Sequence, residues 1–220
     1  MFAVPPSAKP SDVPARARAL AQAGRVAEAF NLLTTAITAR DAHAAAELAD
    51  WRLSGHLIRR DLAAARDLYG TAAQLGLDAA APVHIAMLAN GAGGSIPRRW
   101  SEALTLLQRR AAHDPLAARQ CKLISAMAIT SDGDPLSVAE AVSIHGNPPI
   151  RRLAGFMTAD ECTYVADRAA GLLQPAVVVD PRSGQFVRDP VRNATAANFP
   201  FVEEDTVLHA LNRRIAAATG

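Results

Sequence analysis

The chain has 220 residues, half of them hydrophobic and only 5% aromatic, and its formal net charge is +2. A hydrophobic fraction of this size excludes a disordered tail and indicates globular material. The small net charge, with arginine pairs scattered along the chain, excludes a nucleic-acid-binding class.

The first eleven residues predict a flexible lead. The segment MFAVPPSAKPSD has neither a basic start nor a long apolar core, so it predicts no signal peptide and no membrane anchor. Two cysteines, Cys121 and Cys162, fall on the apolar sides of helices in different predicted domains, which indicates no disulfide framework and suits a reducing compartment. We therefore expect a cytoplasmic protein.

Residues 12–130 predict successive helices that glycine and proline separate. Asp12, with Pro14 in the first turn, is the expected N-cap of the first helix, and Gly24 ends it. Asp41 and Asp61 open two later helices in the same way. The alanine-rich composition favours closely packed helices because small side chains combine with high helix propensity.

An internal repeat lies within this helical half. Gly55 and Gly91 are 36 positions apart, and Leu68 and Leu107 are 39 apart, which is a period of helix-pair repeats. The phrases LADWRLSG, RRDLAAARDLYGTAAQLGLDAA and IAMLANGAGG resemble the Sel1 branch of the tetratricopeptide-like repeats, over roughly residues 42–127. That resemblance implies stacked helix pairs with a concave surface that binds a protein or peptide.

Two tryptophans are the peptide-binding candidates of the repeats. Trp51 and Trp100 are either anchors for a bound peptide or packing residues that fill gaps between stacked helices. The glycine-rich run from Asn90 to Gly94 lacks the Lys and the Ser or Thr of a phosphate-binding loop, so we interpret it as a repeat loop.

Residues 131–149 predict a linker, because Gly133, Pro135, Pro148 and Pro149 break the helical pattern. Asp134 is the expected cap of a short helix within it.

Residues 150–220 predict a small α+β segment. An apolar strand begins at Ile150, and Thr158 with Glu161 forms a capping box at the start of a helix over 159–173. A strand over 176–179 is followed by a tight turn and a partner strand over 185–191. The last helix, over about 203–218, presents an apolar face through Val207 and Leu211, and places His209 off that face at the surface.

This order of elements, with the sequence RNAT at 192–195, resembles the opening part of the prolyl 4-hydroxylase type of 2-oxoglutarate/Fe(II) dioxygenase. The resemblance implies a mainly α chain in which helical repeats precede the start of a double-stranded β-helix domain. It also implies that Arg192 and Thr195 border a peptide-substrate groove. The alternative for Arg192 is a bond to strand-end carbonyls or an acidic neighbour, and Ala194 departs from the hydroxyl residue usual in that family.

The family's iron ligands, a His-x-Asp pair and a distal His, come after this region, and the chain stops before them. None of its six histidines is followed two places later by Asp or Glu. We therefore expect no catalytic residues and no metal site here, whereas a complete product would use Fe(II), 2-oxoglutarate and, as a candidate reductant, ascorbate.

Two functions follow from the sequence, so enzymatic activity is left open. The first is a truncated prolyl 4-hydroxylase-type dioxygenase, which in complete form hydroxylates a peptide side chain. The alternative is a non-catalytic helical-repeat module that binds a peptide or protein, with neither nucleic acid nor membrane as a partner.

Overall fold

The structure is a computed structural model that describes residues 7–188 and 194–220. It is mainly helical, with nine α-helices and six short antiparallel strands within those residues. The chain divides into two compact units. The first comprises the residues up to Leu136 together with Phe201–Ile215, and the second comprises Ser137–Pro200 with Ala216–Gly220. The predicted segment 150–220 thus contributes to both units.

The first seven helices of the chain all lie in the first unit, and each contacts the next along the chain. They are α1 (Val13–Gln22), α2 (Val26–Thr38), α3 (Ala42–Ser54), α4 (Leu62–Gln74), α5 (Ala80–Gly94), α6 (Trp100–Arg110) and α7 (Pro115–Ala126). The predicted helical character of this half is confirmed. The spacing of helices by short connections is what a stack of helix pairs requires.

Aspartate side chains cap several of the helix starts. The Asp41 carboxylate accepts hydrogen bonds from the backbone N–H groups of His43 and Ala44 at 2.9 and 3.0 Å, and Asp61 accepts one from Ala64 at 2.9 Å. Each bond satisfies an amide that the first helical turn leaves without a partner. Asp12 occupies the predicted N-cap position, but its side chain accepts no capping bond.

The core of this unit consists largely of alanine. One cluster joins α3, α4 and α5 through residues that include Ala45, Ala65, Ala72 and Met87, all without exposed surface. A second cluster joins α1, α2 and α3 around Leu33 and Trp51. Alanines at these positions let neighbouring helices approach closely, which explains how a chain with few aromatics fills its core.

Among its described residues, the second unit holds one complete α-helix and three small two-stranded sheets. β1 (Ala141–Gly146) pairs with β2 (Pro149–Leu153), β3 (Gln174–Pro175) with β6 (Thr195–Ala196), and β4 (Val178–Val179) with β5 (Phe186–Val187), all antiparallel. α8 (Ala159–Ala169) continues into a 3-10 turn at Ala170–Leu172. The predicted linker 131–149 therefore contains a strand that sequence reasoning missed.

Two predictions in this unit that depend on hydrogen bonds between nearby residues are confirmed. The capping box at Thr158 and Glu161 is present in both directions. The turn from Asp180 to Gly184 joins β4 to β5 as predicted, although both strands are shorter than expected. The predicted partner strand over 185–191 extends outside the described residues from 189.

Cys162, predicted on an apolar face, is exposed, and Cys121 is half-buried.

The last helix, α9 (Thr206–Thr219), begins after Asp205. The Asp205 carboxylate accepts hydrogen bonds from the N–H groups of Val207 and Leu208 at 3.0 and 3.1 Å. Its first six residues are all buried. The predicted surface position of His209 is therefore wrong: the residue is only 7% exposed, since the buried part of the helix is wider than a single apolar stripe.

Candidate functional site

The candidate site is the surface of the first unit that holds the segment Phe201–Ile215. Its base is the turn at the end of α5, where Gly91, Ala92 and Gly93 adopt left-handed φ angles of 62°, 51° and 69°. A Cβ on Gly91 would lie 2.3 Å from the carbonyl oxygen of Ile96, so only glycine fits there. Ala92 holds this uncommon conformation while 1% exposed.

Asn90 connects this turn to the segment. Its Oδ1 accepts a hydrogen bond from the N–H of Gly93 at 3.2 Å, which fixes the orientation of the amide. Its Nδ2 donates to the main-chain carbonyls of Phe201 at 2.6 Å and Glu204 at 3.2 Å. Asn90 is 1% exposed, so these bonds form away from water. The side chain thus recognises backbone that lies more than 100 positions further along the chain.

Phe201 supplies the apolar contact of the same stretch. Its ring packs against the alanine-rich cluster of α3, α4 and α5. A Cβ on Gly93 would lie 3.5 Å from the Phe201 side chain, so the glycine forms part of the surface beneath the ring.

His209 occupies the middle of the site. Its ring centroid lies 6.0 Å from that of Trp100, and its Nδ1 lies 3.0 Å from Glu204 Oε1. Because a carboxylate only accepts, Nδ1 donates this bond. Asn212 donates a second bond to the same oxygen at 2.8 Å. Burial raises the pKa of Glu204, but the bonds from His209 and Asn212 outweigh burial and leave that pKa lowered.

Two polar atoms on this face of α9 lack a protein partner. Thr206 Oγ1 and His209 Nε2 are buried and have no hydrogen-bond partner among residues 7–188 and 194–220. The two residues are three apart in the helix, so they share one face.

Asp134 closes the site with two arginines. Arg98 donates to the Asp134 carboxylate at 3.2 and 2.9 Å, and the Nε of Arg213 on α9 donates to it at 2.5 Å. The hydrogen bonds from Arg98, together with the bond from Arg213, lower the pKa of Asp134 to about 2. Partial burial of the carboxylate opposes this shift but is outweighed. The predicted role of Asp134 as a helix cap is wrong, because the chain around it forms a turn rather than a helix.

The structure places both predicted peptide anchors in the core. Trp51 is 4% exposed and its Nε1 donates to Glu47 at 2.9 Å; Glu47 in turn pairs with Arg18 on α1. Trp100 is 3% exposed. Both positions favour the packing alternative, although Trp100 contacts the held segment through His209.

Of the two substrate-groove candidates, only Thr195 is among the residues that the structure describes. Thr195 is exposed in β6, opposite Pro175 of β3, so it lies in the second unit, whereas both tryptophans belong to the first. Arg192 lies outside the described residues. The residues that build the site, Asn90, Asp134 and His209, were missed. The one sequence signal was an asparagine directly before a glycine run, a pattern typical of turns in which the side chain bonds nearby backbone.

A shallow groove of about 440 Å³ lies between α6 and α7. Its lining is mixed, with Leu104, Ile124 and Ile129 beside Gln108 and Cys121. Burial raises the pKa of the Cys121 thiol, so the thiol stays protonated and is a poor nucleophile. The groove therefore offers contact surface rather than reactive chemistry.

The donor set for iron is not assembled in the part of the chain that the structure describes. No group of three or more His, Cys, Asp or Glu side chains there could hold a metal ion. The residues present thus do not fit an Fe(II) centre. Across the same residues, every helix is too short or too polar to cross a membrane.

No family model, curated protein or solved structure matches this chain. A functional assignment therefore rests on the contacts that Asn90, Trp100 and Asp134 make with the segment Phe201–Ile215.

Proposed function

We propose that the first unit is a binding module for a protein segment that runs from an extended stretch into a helix. The observation that carries this proposal is the pair of hydrogen bonds from the Asn90 amide to the carbonyls of Phe201 and Glu204. A side chain that binds main-chain groups accepts many sequences in the same conformation. In this chain the segment bound is its own Phe201–Ile215.

The surrounding contacts supply affinity and selectivity. Complete burial of a phenylalanine side chain contributes about 1.5–3 kcal/mol, and the partly buried Phe201 contributes a share of that. Each hydrogen bond contributes about 0.5–1.5 kcal/mol. The Asp134 carboxylate favours a basic residue in the position of Arg213. These terms together favour an aromatic residue followed by a helix with a basic residue on its second turn.

A cut chain tests the proposal. A protease site inserted after Asn198, which is exposed, allows the whole chain to fold before cleavage. We expect the fragment that contains Phe201–Ile215 to co-elute with the remainder at micromolar concentration, and a labelled copy of it to exchange in with a rise in fluorescence anisotropy. Release of the fragment at that concentration would contradict the proposal.

Asn90→Asp is the informative variant. It keeps the acceptor for Gly93 but loses the donor for Phe201 and Glu204, so we expect release of the fragment with unchanged helix content by circular dichroism. Asn31→Asp, at an exposed asparagine of α2, is the matched control and should retain the fragment.

We also propose a second role, for residues 150–220, as the opening segment of a prolyl 4-hydroxylase-type domain in a cytoplasmic protein. The order of strand β2, capped helix α8, hairpin β4–β5 and helix α9 supports it. In that family this region precedes the iron ligands, and peptide hydroxylation would need Fe(II) and 2-oxoglutarate.

Metal analysis tests the expectation that this chain alone holds no catalytic iron. The chain is reconstituted with Fe(II) or Co(II), and bound metal is measured with and without 2-oxoglutarate. Stoichiometric uptake with a spectral change that depends on 2-oxoglutarate would overturn the expectation, whereas succinate formation by a longer chain would support the oxygenase role.

A further inference from the structure

The segment that the first unit holds is a poor fit at two atoms. Thr206 Oγ1 and His209 Nε2 are buried on the face of α9 that contains the contact with Trp100, and neither has a hydrogen-bond partner within the described chain. The rest of the segment is well matched, through Asn90, Phe201 and the Asp134 pair. A buried polar atom without a partner weakens association because its desolvation is not compensated.

We propose that Phe201–Ile215 is a displaceable occupant, and that the partner of the first unit is a protein segment of the same pattern with apolar residues in place of Thr206 and His209. This partner carries an aromatic residue in the position of Phe201, an aspartate cap in the position of Asp205, and a basic residue in the position of Arg213. The inference rests on the proposed binding function and specifies its ligand. Occupation by the chain's own segment keeps the site closed to weaker ligands.

The magnitudes allow such an exchange. A tether raises the effective concentration of the chain's own segment to about millimolar, so a partner at about 10 µM must bind roughly a hundredfold tighter to displace it. Removal of one buried unpartnered polar atom is worth roughly fivefold to 150-fold in affinity. Removal of one such atom reaches the required hundredfold gain in affinity only at the top of that range. Removal of two such atoms exceeds a hundredfold gain over most of the combined range.

The test uses three synthetic peptides that span residues 199–219: the native sequence, Thr206→Val, and Thr206→Val with His209→Phe. Valine keeps the shape of threonine, and phenylalanine keeps a ring against Trp100. Each peptide competes with the labelled native fragment on the cut chain. We expect Thr206→Val to compete at least fivefold better than the native peptide. His209→Phe removes the unpartnered Nε2 but also the bond from Nδ1 to Glu204 Oε1, to which Asn212 still donates, so the second substitution should improve competition further by a smaller factor.

The uncut chain then supplies the decisive measurement. At 10 µM, the double-variant peptide should bind the whole protein and should lose that binding in the Asn90→Asp protein, while the native peptide should not bind. The control is the Asn31→Asp protein, which is changed at an exposed position of α2 and should bind the double-variant peptide as the parent does.

The outcomes separate the two proposals. If the native peptide fails to bind the cut chain, the binding function itself is wrong. If the native peptide binds the cut chain and the Thr206→Val and double-variant peptides bind no tighter, the binding function stands and the displaceable-occupant proposal is overturned.

Discussion

The ionisation of Asp134, which bonds Arg213 on α9, makes the stability of the folded state depend on pH. Because its pKa is lowered to about 2 from an ordinary 3.8, the ionised form stabilises the folded state above about pH 4. That stabilisation is lost as the pH falls from about 4 to 2.

Asp134→Asn should therefore lower the free energy of unfolding at pH 7 by about 1 kcal/mol, a value that allows for solvent screening of partly exposed groups. Both tryptophans lie in the first unit, so urea titration followed by tryptophan fluorescence reports on it. The difference between variant and parent should vanish near pH 2. Asp132→Asn, in the same turn, is the control, and an equal loss there would contradict the assignment.

Gly133 packs directly against the indole ring of Trp100. The residue has φ +79°, and a Cβ would lie 2.7 Å from the indole ring. Gly133→Ala should thus combine left-handed strain with overlap, at a cost of about 2–4 kcal/mol. Gly24→Ala is the matched control, because Gly24 has φ +76° with no atom within 4 Å of its would-be Cβ.

Gly24→Ala should cost only the backbone strain, about 1–2 kcal/mol. Urea midpoints by tryptophan fluorescence measure both variants. Equal losses would mean that the contact with Trp100 adds nothing, and that Trp100 can move away from the added methyl group.

At the scale of elements, the capping box of α8 offers the cleanest test in the second unit. The Thr158 hydroxyl accepts from the N–H of Glu161 at 3.2 Å, and the Glu161 carboxylate accepts from the N–H of Thr158 at 2.8 Å. Thr158→Ala should destabilise the helix by about 1 kcal/mol and speed hydrogen exchange of the Glu161 amide.

Thr163→Ala provides the comparison within α8. The Thr163 hydroxyl donates to the carbonyl of Ala159, inside the helix, so its loss leaves no terminal amide unsatisfied. Alanine has the higher helix propensity, and the variant should be neutral or more stable. Faster exchange at Glu161 in this variant would show that the effect of Thr158→Ala is not specific to the cap.

Elements that rest on short-range bonds could be predicted from sequence, whereas those that rest on distant partners could not. The caps at Asp41 and Asp61 and the box at Thr158 depend on residues two or three places away, and a sequence displays such spacings directly. Strand β1 was missed because its partner β2 lies across a Pro-Pro sequence that also indicates a linker.

The candidate site was missed for the same physical reason. Asn90 and Phe201 are 111 positions apart, and Asp134 and Arg213 are 79 apart, so no local pattern joins them. His209 was misplaced because an apolar stripe predicts one buried face, while α9 buries all of its first six residues.

At the scale of the whole molecule, the two units differ in how much of their apolar surface is covered. In the first unit, Leu33, Ala45 and Met87 have no exposed surface. In the second, Val142, Ile144 and Phe186 are exposed by 52%, 59% and 75%, and four of the six strands have only two residues. Local opening costs less free energy where few apolar contacts are lost.

Hydrogen exchange should therefore assign Phe201–Ile215 to the first unit, although the second unit lies before it in sequence. We expect the amides of Val207 to Leu211 to exchange as slowly as those of α3 to α5, and the amides of β4 and β5 to exchange much faster. Asn90→Asp should speed exchange at Val207 to Leu211 and leave α8 unchanged, because only the former depend on the segment being held. Exchange of those amides at the rate of β4 and β5 in the parent protein would show that α9 opens with the second unit, and the binding site would then be open in solution.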